Sequence, residues 1–132
     1  MHLLLSLRYV AAGGALGALA RWGALEGAGS ERTTLVVVAL NAVGSLLLGA
    51  LVGLNLTRGR PGRAARARIT ENQYLLAGTG FCGSLTTFSS YALDVASALD
   101  DGRLGRAALV GLITPLAAVL LAGIGYRIGS IR

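Results

Sequence analysis

Gly78-Thr79-Gly80-Phe81-Cys82-Gly83-Ser84-Leu85-Thr86-Thr87-Phe88-Ser89-Ser90-Tyr91 lies inside a run of 22 uncharged residues, Asn72 to Leu93. That length meets the threshold of about 18–20 residues for crossing a bilayer as a helix. The middle of the run is poorly suited to lipid. Six residues from Thr79 to Ser90 carry hydroxyls, and glycines stand at 78, 80 and 83. As one continuous helix, Asn72 to Leu99 would span about 42 Å against a hydrocarbon core of about 30 Å. Together these features predict a broken helix whose freed carbonyls face protein or an ion. Non-helical backbone at membrane depth is tolerated only where it is buried or lines a cavity.

The rest of the chain is punctuated in the same way. Another 25 uncharged residues run from Thr33 to Thr57, and 20 more from Ala107 to Tyr126. A further stretch, Leu3 to Leu25, is apolar apart from Arg8 and Arg21, which can reach headgroups from those depths. The expected fold is an all-α integral membrane protein, one domain over residues 1–132. Its four transmembrane helices are Leu3–Leu25, Thr33–Leu56, Glu71–Leu99 (broken mid-membrane) and Leu104–Arg127. The longest loop is Thr57–Thr70, and Asp100-Asp101-Gly102 forms the tightest turn. The first segment also imitates a signal peptide, with Arg8 before an apolar run and Ala18-Leu19-Ala20 after it. The apolar residues before Arg8 and the Gly13–Gly17 pair, which lets helix backbones approach closely, suit a retained helix better.

Composition agrees and excludes much chemistry. The chain is 54% hydrophobic and 14% charged, against about 25% charged in soluble domains. All twelve basic residues are Arg, which removes any Lys-dependent site. One His (His2) and one Cys (Cys82) cannot make a disulfide within the chain or a Cys/His zinc set. Gly78-x-Gly80-x-x-Gly83 has the spacing of a dinucleotide fingerprint, but the fingerprint needs a strand before it and a βαβ unit around it. The phosphate-loop pattern fails at Ser84 and Leu85. Arg58, Arg60, Arg63, Arg66 and Arg68 in the longest loop have no interleaved aromatics to stack bases. They fit the excess of basic residues in cytoplasmic loops better than a nucleic-acid patch. Neither an enzyme nor a nucleic-acid binder is expected.

Few polar side chains remain inside the spans. Asn41 in the second segment suits an interhelical hydrogen bond and a pore residue equally well. Asp94 sits near the end of the third segment, where interfacial solvation accounts for it. Tyr9, Trp22, Tyr74 and Tyr126 fall near helix ends, as interfacial aromatics do. In the fourth segment Pro115 frees the carbonyl four residues earlier, which Thr114 could satisfy.

Gly80 to Tyr91 resembles the fluoride channel family (Fluc, also called CrcB). Gly13-Gly14-Ala15-Leu16-Gly17-Ala18-Leu19-Ala20-Arg21-Trp22 and Asn41-Ala42-Val43-Gly44-Ser45-Leu46-Leu47-Leu48-Gly49 agree in order with the same family. The resemblance covers essentially the whole chain. It implies a small protein of the cell membrane that pairs antiparallel into a dual-topology dimer with two narrow fluoride pores. It further implies a structural sodium ion at the dimer centre, held by the backbone carbonyls of Gly83 and Thr86. By motif position Phe88 and Asn41 are pore residues and Arg21 lies at the vestibule; Ser89 is a further pore candidate, and Thr114 is the candidate for a polar track on the fourth segment. Tyr91 stands where the family usually has a second phenylalanine, and Ser84 replaces a common glycine.

The implied chemistry is coherent with these side chains. Fluoride is strongly hydrated, so a pore must replace lost water with donors such as the Asn41 amide and Ser or Thr hydroxyls. The edge of an aromatic ring is electropositive, so Phe88 can face an anion edge-on. Arg21 would raise local anion concentration. The competing function is a small four-helix exporter of cationic drugs. That function needs a membrane-embedded carboxylate, and the deepest acid here is Asp94. A purely structural subunit would leave Asn41 and the helix break unexplained. With four spans, both termini and the Thr57–Thr70 loop share one side, which carries eight arginines against four on the other. That bias predicts cytoplasmic termini in the predominant orientation, and a second family member of opposite bias as an alternative partner to a second copy.

Overall fold

The computed structural model describes residues 2–29, 32–56 and 69–131. Among these residues all regular structure is helical: α1 (His2–Ala28), α2 (Thr33–Leu56), α3 (residues 71–85), α4 (Phe88–Asp100) and α5 (Leu104–Ile131). Of the four expected helical segments, the second matches at both ends. The first is longer at both ends, and the fourth continues past Arg127 to Ile131. The third is two helices, α3 and α4, separated by Thr86 and Thr87. The arginine-rich stretch 57–68 and Arg132, on which the orientation argument partly rests, lie outside the described residues.

Local chemistry sets the helix ends. Thr70 and Gln73 form a reciprocal cap at the start of α3. Thr70 Oγ1 accepts from the Gln73 N–H at 3.2 Å, and Gln73 Oε1 accepts from the Thr70 N–H at 2.9 Å. At the end of α4, Gly102 takes a φ of 70°, a conformation open to glycine at little cost. The N–H groups of Gly102 and Arg103 then return to the carbonyls of Leu99 and Ala98, closing the helix.

Two parallel helix pairs form the body of the fold, and glycines allow each pair to close. Gly13 and Gly17 on α1 lie against the α3 backbone at Leu76 and Phe81, and Gly80 on α3 lies against Val10 and Gly13 on α1. Gly49 and Gly53 on α2 rest on the carbonyls of Ala122 and Tyr126, while Gly125 and Gly129 on α5 rest on those of Leu46 and Ala50. A Cβ at any of these positions would collide with backbone, which cannot yield as a flexible side chain can. The Gly13–Gly17 seam is legible in the sequence, whereas the Gly49–Gly53 and Gly125–Gly129 seams do not stand out there. Where α3 meets α1 it is π-helical over Leu75–Cys82. Successive segments run antiparallel: the start of α1, the end of α2 and the start of α3 meet at one end, around Tyr9, Leu51 and Asn72. At the opposite end Arg106 on α5 donates to Thr34 Oγ1 on α2 at 2.9 Å.

Very little of this fold is inside. Among the described residues Val37 is the largest side chain that is fully buried, and Cys82, Leu85, Ala98, Ala107 and Val110 complete the buried apolar set. Outside stand Leu109, Leu112, Leu116, Val119 and Leu120 on α5, each more than half exposed, and Leu4, Leu16, Leu19 and Trp22 on α1. Contiguous apolar surface of this extent needs an apolar surrounding. α2 and α5 are long and apolar enough to cross a membrane, over Thr33–Asn55 and Leu104–Ile131. The 27 residues of α1 reach about 40 Å, long enough to span as well. The protein is a membrane protein.

The seams predict an asymmetric response to added methyl groups. Gly125→Ala should cost roughly 1–3 kcal/mol by wedging α5 away from Leu46. Gly123→Ala, two residues away with open space around it, should be neutral or slightly stabilising. Thermal unfolding of the detergent-solubilised protein checks this. Equal melting temperatures for the two variants would contradict the close α2–α5 seam.

Candidate functional site

The break between α3 and α4 is two extended residues, Thr86 with ψ at 152° and Thr87 with ψ at 121°. In a continuous helix the Thr87 N–H would return to the Gly83 carbonyl. Here it donates to Asn41 Oδ1 at 2.8 Å, and Asn41 Nδ2 donates to the Thr87 carbonyl at 3.1 Å. The Asn41 carboxamide therefore pairs with Thr87 as another peptide group would. Both main-chain groups of the residue at the break are satisfied by one side chain from α2. The flanking ends are closed locally. Thr86 returns its N–H and its Oγ1 to the Cys82 carbonyl at 3.1 and 3.0 Å. Thr87 Oγ1 caps α4 by accepting from the Ser90 N–H at 3.3 Å, and it shares a hydrogen bond with Ser89 Oγ at 3.1 Å.

Beside the break lies an open cavity of about 560 Å³, walled by α2, α3, α4 and α5. Asn41, Gly83, Thr86, Phe88, Tyr91 and Thr114 all line it, so residues distant in the chain converge there. Phe88 stands at its edge, 78% exposed, with its ring centroid 5.6 Å from that of Tyr91 and the planes tilted by 51°. Thr114 is buried, and its Oγ1 has no hydrogen-bond partner among the described residues. It does not satisfy the carbonyl that Pro115 frees. That carbonyl belongs to Gly111 and accepts instead from the Tyr91 hydroxyl at 2.8 Å. Asp94 is half-buried, and one of its carboxylate oxygens is buried without a partner among the described residues.

Ser89 and Arg21, the latter expected at a vestibule, do not line the cavity. Ser89 is exposed and spends its hydroxyl on Thr87. Its place one residue after Phe88 turns it away from the face that Phe88 and Tyr91 share. Arg21 reaches the break from α1, with its guanidinium 3.5 Å from the Thr86 carbonyl. That contact is long for a hydrogen bond but close for a charge beside a carbonyl dipole.

Breaking a helix here sets two opposite polar ends side by side. The last carbonyls of α3 carry partial negative charge, and the first N–H groups of α4 carry partial positive charge. The Gly83 carbonyl has lost its helical donor to Asn41, and the Thr86 carbonyl meets Arg21 at a long distance. Oxygen atoms of this kind suit a hard cation. No cluster of three or more His, Cys, Asp or Glu among the described residues offers another kind of metal site. The apolar walls with a few convergent donors, Asn41 and Thr114 among them, suit a small anion stripped of water.

Several contributors escape a reading of the sequence. Thr87 is the hub of the break and 7% exposed, yet its role is carried by main chain and a capping hydroxyl, which residue type alone does not reveal. Gly44 lets the Thr86 methyl approach α2, since a Cβ there would strike Thr86 Cγ2. Its spacing of three from Asn41 on one helix face is the signal that could have found it.

The profile of the CrcB-like (camphor resistance) protein family matches residues 8–126. A Haloarcula marismortui protein named fluoride-specific ion channel FluC 2 is 38% identical over 132 residues, covering 100% of this chain and 98% of that one. A Thermus thermophilus protein named fluoride-specific ion channel FluC is 36% identical over 127 residues, 92% of this chain and 91% of its own. One from Symbiobacterium thermophilum, named fluoride-specific ion channel FluC 2, reaches 42% identity over 101 residues, 71% and 72% of the two chains. With matches that run nearly end to end and include the broken third segment, the chain belongs to the CrcB-like family.

Proposed function

We propose that this protein is a fluoride-selective ion channel of the cell membrane, crossing it four times and passing fluoride down its electrochemical gradient so that cytoplasmic fluoride falls. The observation that carries the reading is the cavity at the helix break, where Asn41, Phe88, Tyr91 and Thr114 converge. Asn41 keeps one amide hydrogen beyond the one given to Thr87, Thr114 brings an unpartnered hydroxyl, and Phe88 brings an electropositive ring edge. The names of the relatives support the substrate. Arg21 serves as the basic residue that concentrates anions near the break, and Ser89 acts through its hydrogen bond to Thr87.

The working unit in this reading is an antiparallel dimer. A single chain leaves the cavity open on one side and Phe88 largely uncovered, which a second copy would close. The carbonyls of Gly83 and Thr86 from two copies would hold a structural sodium ion, which neutralises their partial charges and fixes the two breaks together. The partner is a second copy or a related chain; relatives numbered FluC 1 in Halobacterium salinarum and FluC 2 in Haloarcula marismortui fit either arrangement. The exporter alternative would turn on the unpartnered Asp94 oxygen, which could exchange a proton for a cation.

Liposomes loaded with fluoride and chloride test this directly. The protein should release fluoride alone, without ATP or a proton gradient. Phe88→Ile should lower the flux at least about tenfold through loss of the ring edge, and Asn41→Asp by at least as much, through charge repulsion together with loss of the donor to the Thr87 carbonyl. Comparable chloride leakage, or a requirement for a proton gradient that Asp94→Asn abolishes, would overturn the channel reading.

Orientation is tested by Gly62→Cys in a Cys82→Ala background. The arginine bias predicts that most copies are labelled from the cytoplasmic face only. Equal labelling from both faces would establish dual insertion of one sequence in place of a fixed orientation. Exchange of sodium for a bulky organic cation should weaken the dimer in either case.

A further inference from the structure

Pro115 sits in the middle of α5, where its ring nitrogen has no hydrogen to donate. The carbonyl left without its helical donor is that of Gly111, four residues earlier. In a membrane protein an unpaired carbonyl is expensive, because no water is at hand to replace the lost bond. Yet the Gly111 carbonyl is paired, by the hydroxyl of Tyr91 on α4 at 2.8 Å. Thr114, its nearest hydroxyl neighbour on α5, leaves its own Oγ1 unpartnered. The ring that carries the Tyr91 hydroxyl is also the ring against which Phe88 leans, 5.6 Å between centroids.

We propose that Tyr91 is a positioning residue: its hydroxyl stands in for the amide hydrogen that Pro115 lacks, and this tether fixes the ring that orients Phe88 at the cavity. Tyr91 and Pro115 form one device. A phenylalanine at 91 would still supply an aromatic wall, but it would leave Gly111 unsatisfied and let the ring turn. An ordinary residue at 115 would supply its own N–H and make the hydroxyl dispensable. The hydroxyl is already committed to a carbonyl, so Tyr91 offers the cavity its ring rather than a donor. Two separate sequence features, the tyrosine in a phenylalanine's place and the proline within a helix, thereby explain each other.

The folding consequences stand independently of any activity; the consequence for Phe88 rests on the channel reading above. The test is a cycle of wild type, Tyr91→Phe, Pro115→Ala and the double variant, each as the full-length chain. Tyr91→Phe should raise the unfolding equilibrium constant about three- to tenfold when Pro115 is present. In the Pro115→Ala background the same change should matter less than about twofold. The carbonyl ¹³C resonance of Gly111, resolved by the Leu that follows it, should move on Tyr91→Phe, while that of Gly53, which also precedes a Leu, stays put. In liposomes Tyr91→Phe should lower fluoride flux at least about threefold with Pro115 and not with Pro115→Ala. Equal destabilisation in both backgrounds, or an unmoved Gly111 resonance, overturns the tether. A coupled folding cycle with flux indifferent to Tyr91→Phe overturns the orienting of Phe88. A coupled cycle in a wild-type protein that passes no fluoride confirms the tether and overturns the channel reading instead.

Discussion

A helix can be interrupted inside an apolar surrounding only if something else takes up the main-chain groups it releases, and here that something is a single carboxamide. Asn41 accepts from the Thr87 N–H and donates to the Thr87 carbonyl, at 2.8 and 3.1 Å. Each of those groups left bare would cost on the order of several kcal/mol, which the small core of this fold could not offset. With the pair in place, Thr87 is free to be extended, its hydroxyl caps α4, and the Gly83 carbonyl loses its helical donor. The polar ends of α3 and α4 then meet at the wall of one cavity. Asn41 is thus at once a packing residue, bonded across helices to Thr87, and a residue that lines the cavity.

The glycine seams are what allow so polar a feature to be enclosed by so few residues. α1 closes on α3, and α2 closes on α5, at backbone-to-backbone distance. Close approach brings contact without bulky side chains, so stability comes from shape and many small dispersion contacts rather than from a large buried core. The same economy leaves most large apolar side chains facing outward, where lipid covers them. It also leaves the cavity open and Phe88 bare, the surfaces that the proposed second chain would cover.

Charge spacing makes the segments legible. The uncharged run Thr33–Thr57 gives the limits of α2 to within one residue, and charge spacing places the other segments to within several, because lipid excludes charge far more strictly than it selects any particular apolar side chain. The break is legible in kind, from hydroxyls and glycines crowded into one span, but not in place. The glycine-rich half of that span, around Gly78 and Gly80, stays helical in a wider π form. Only Thr86 and Thr87 leave the helix. Glycines are so frequent in this chain that their number hides which ones lie at a seam, and the α2–α5 seam goes unseen. The Tyr91–Gly111 bond could not have been read at all, since it depends on the register of two helices that meet across a tight turn. Nor does residue type show that Ser89, exposed on the single chain, bonds through its hydroxyl to Thr87 instead of lining the cavity.

The central claim is that the broken helix and its cavity form a path for fluoride and for no other common anion. Reversal potential in a planar bilayer tests it most directly, because it reads selectivity without reference to rate. With a tenfold fluoride gradient and equal chloride on both sides, the account predicts a reversal potential of about 59 mV in the direction of the fluoride equilibrium. It should not move when a chloride gradient is imposed. A reversal near zero under the fluoride gradient, or one that follows chloride, would contradict it.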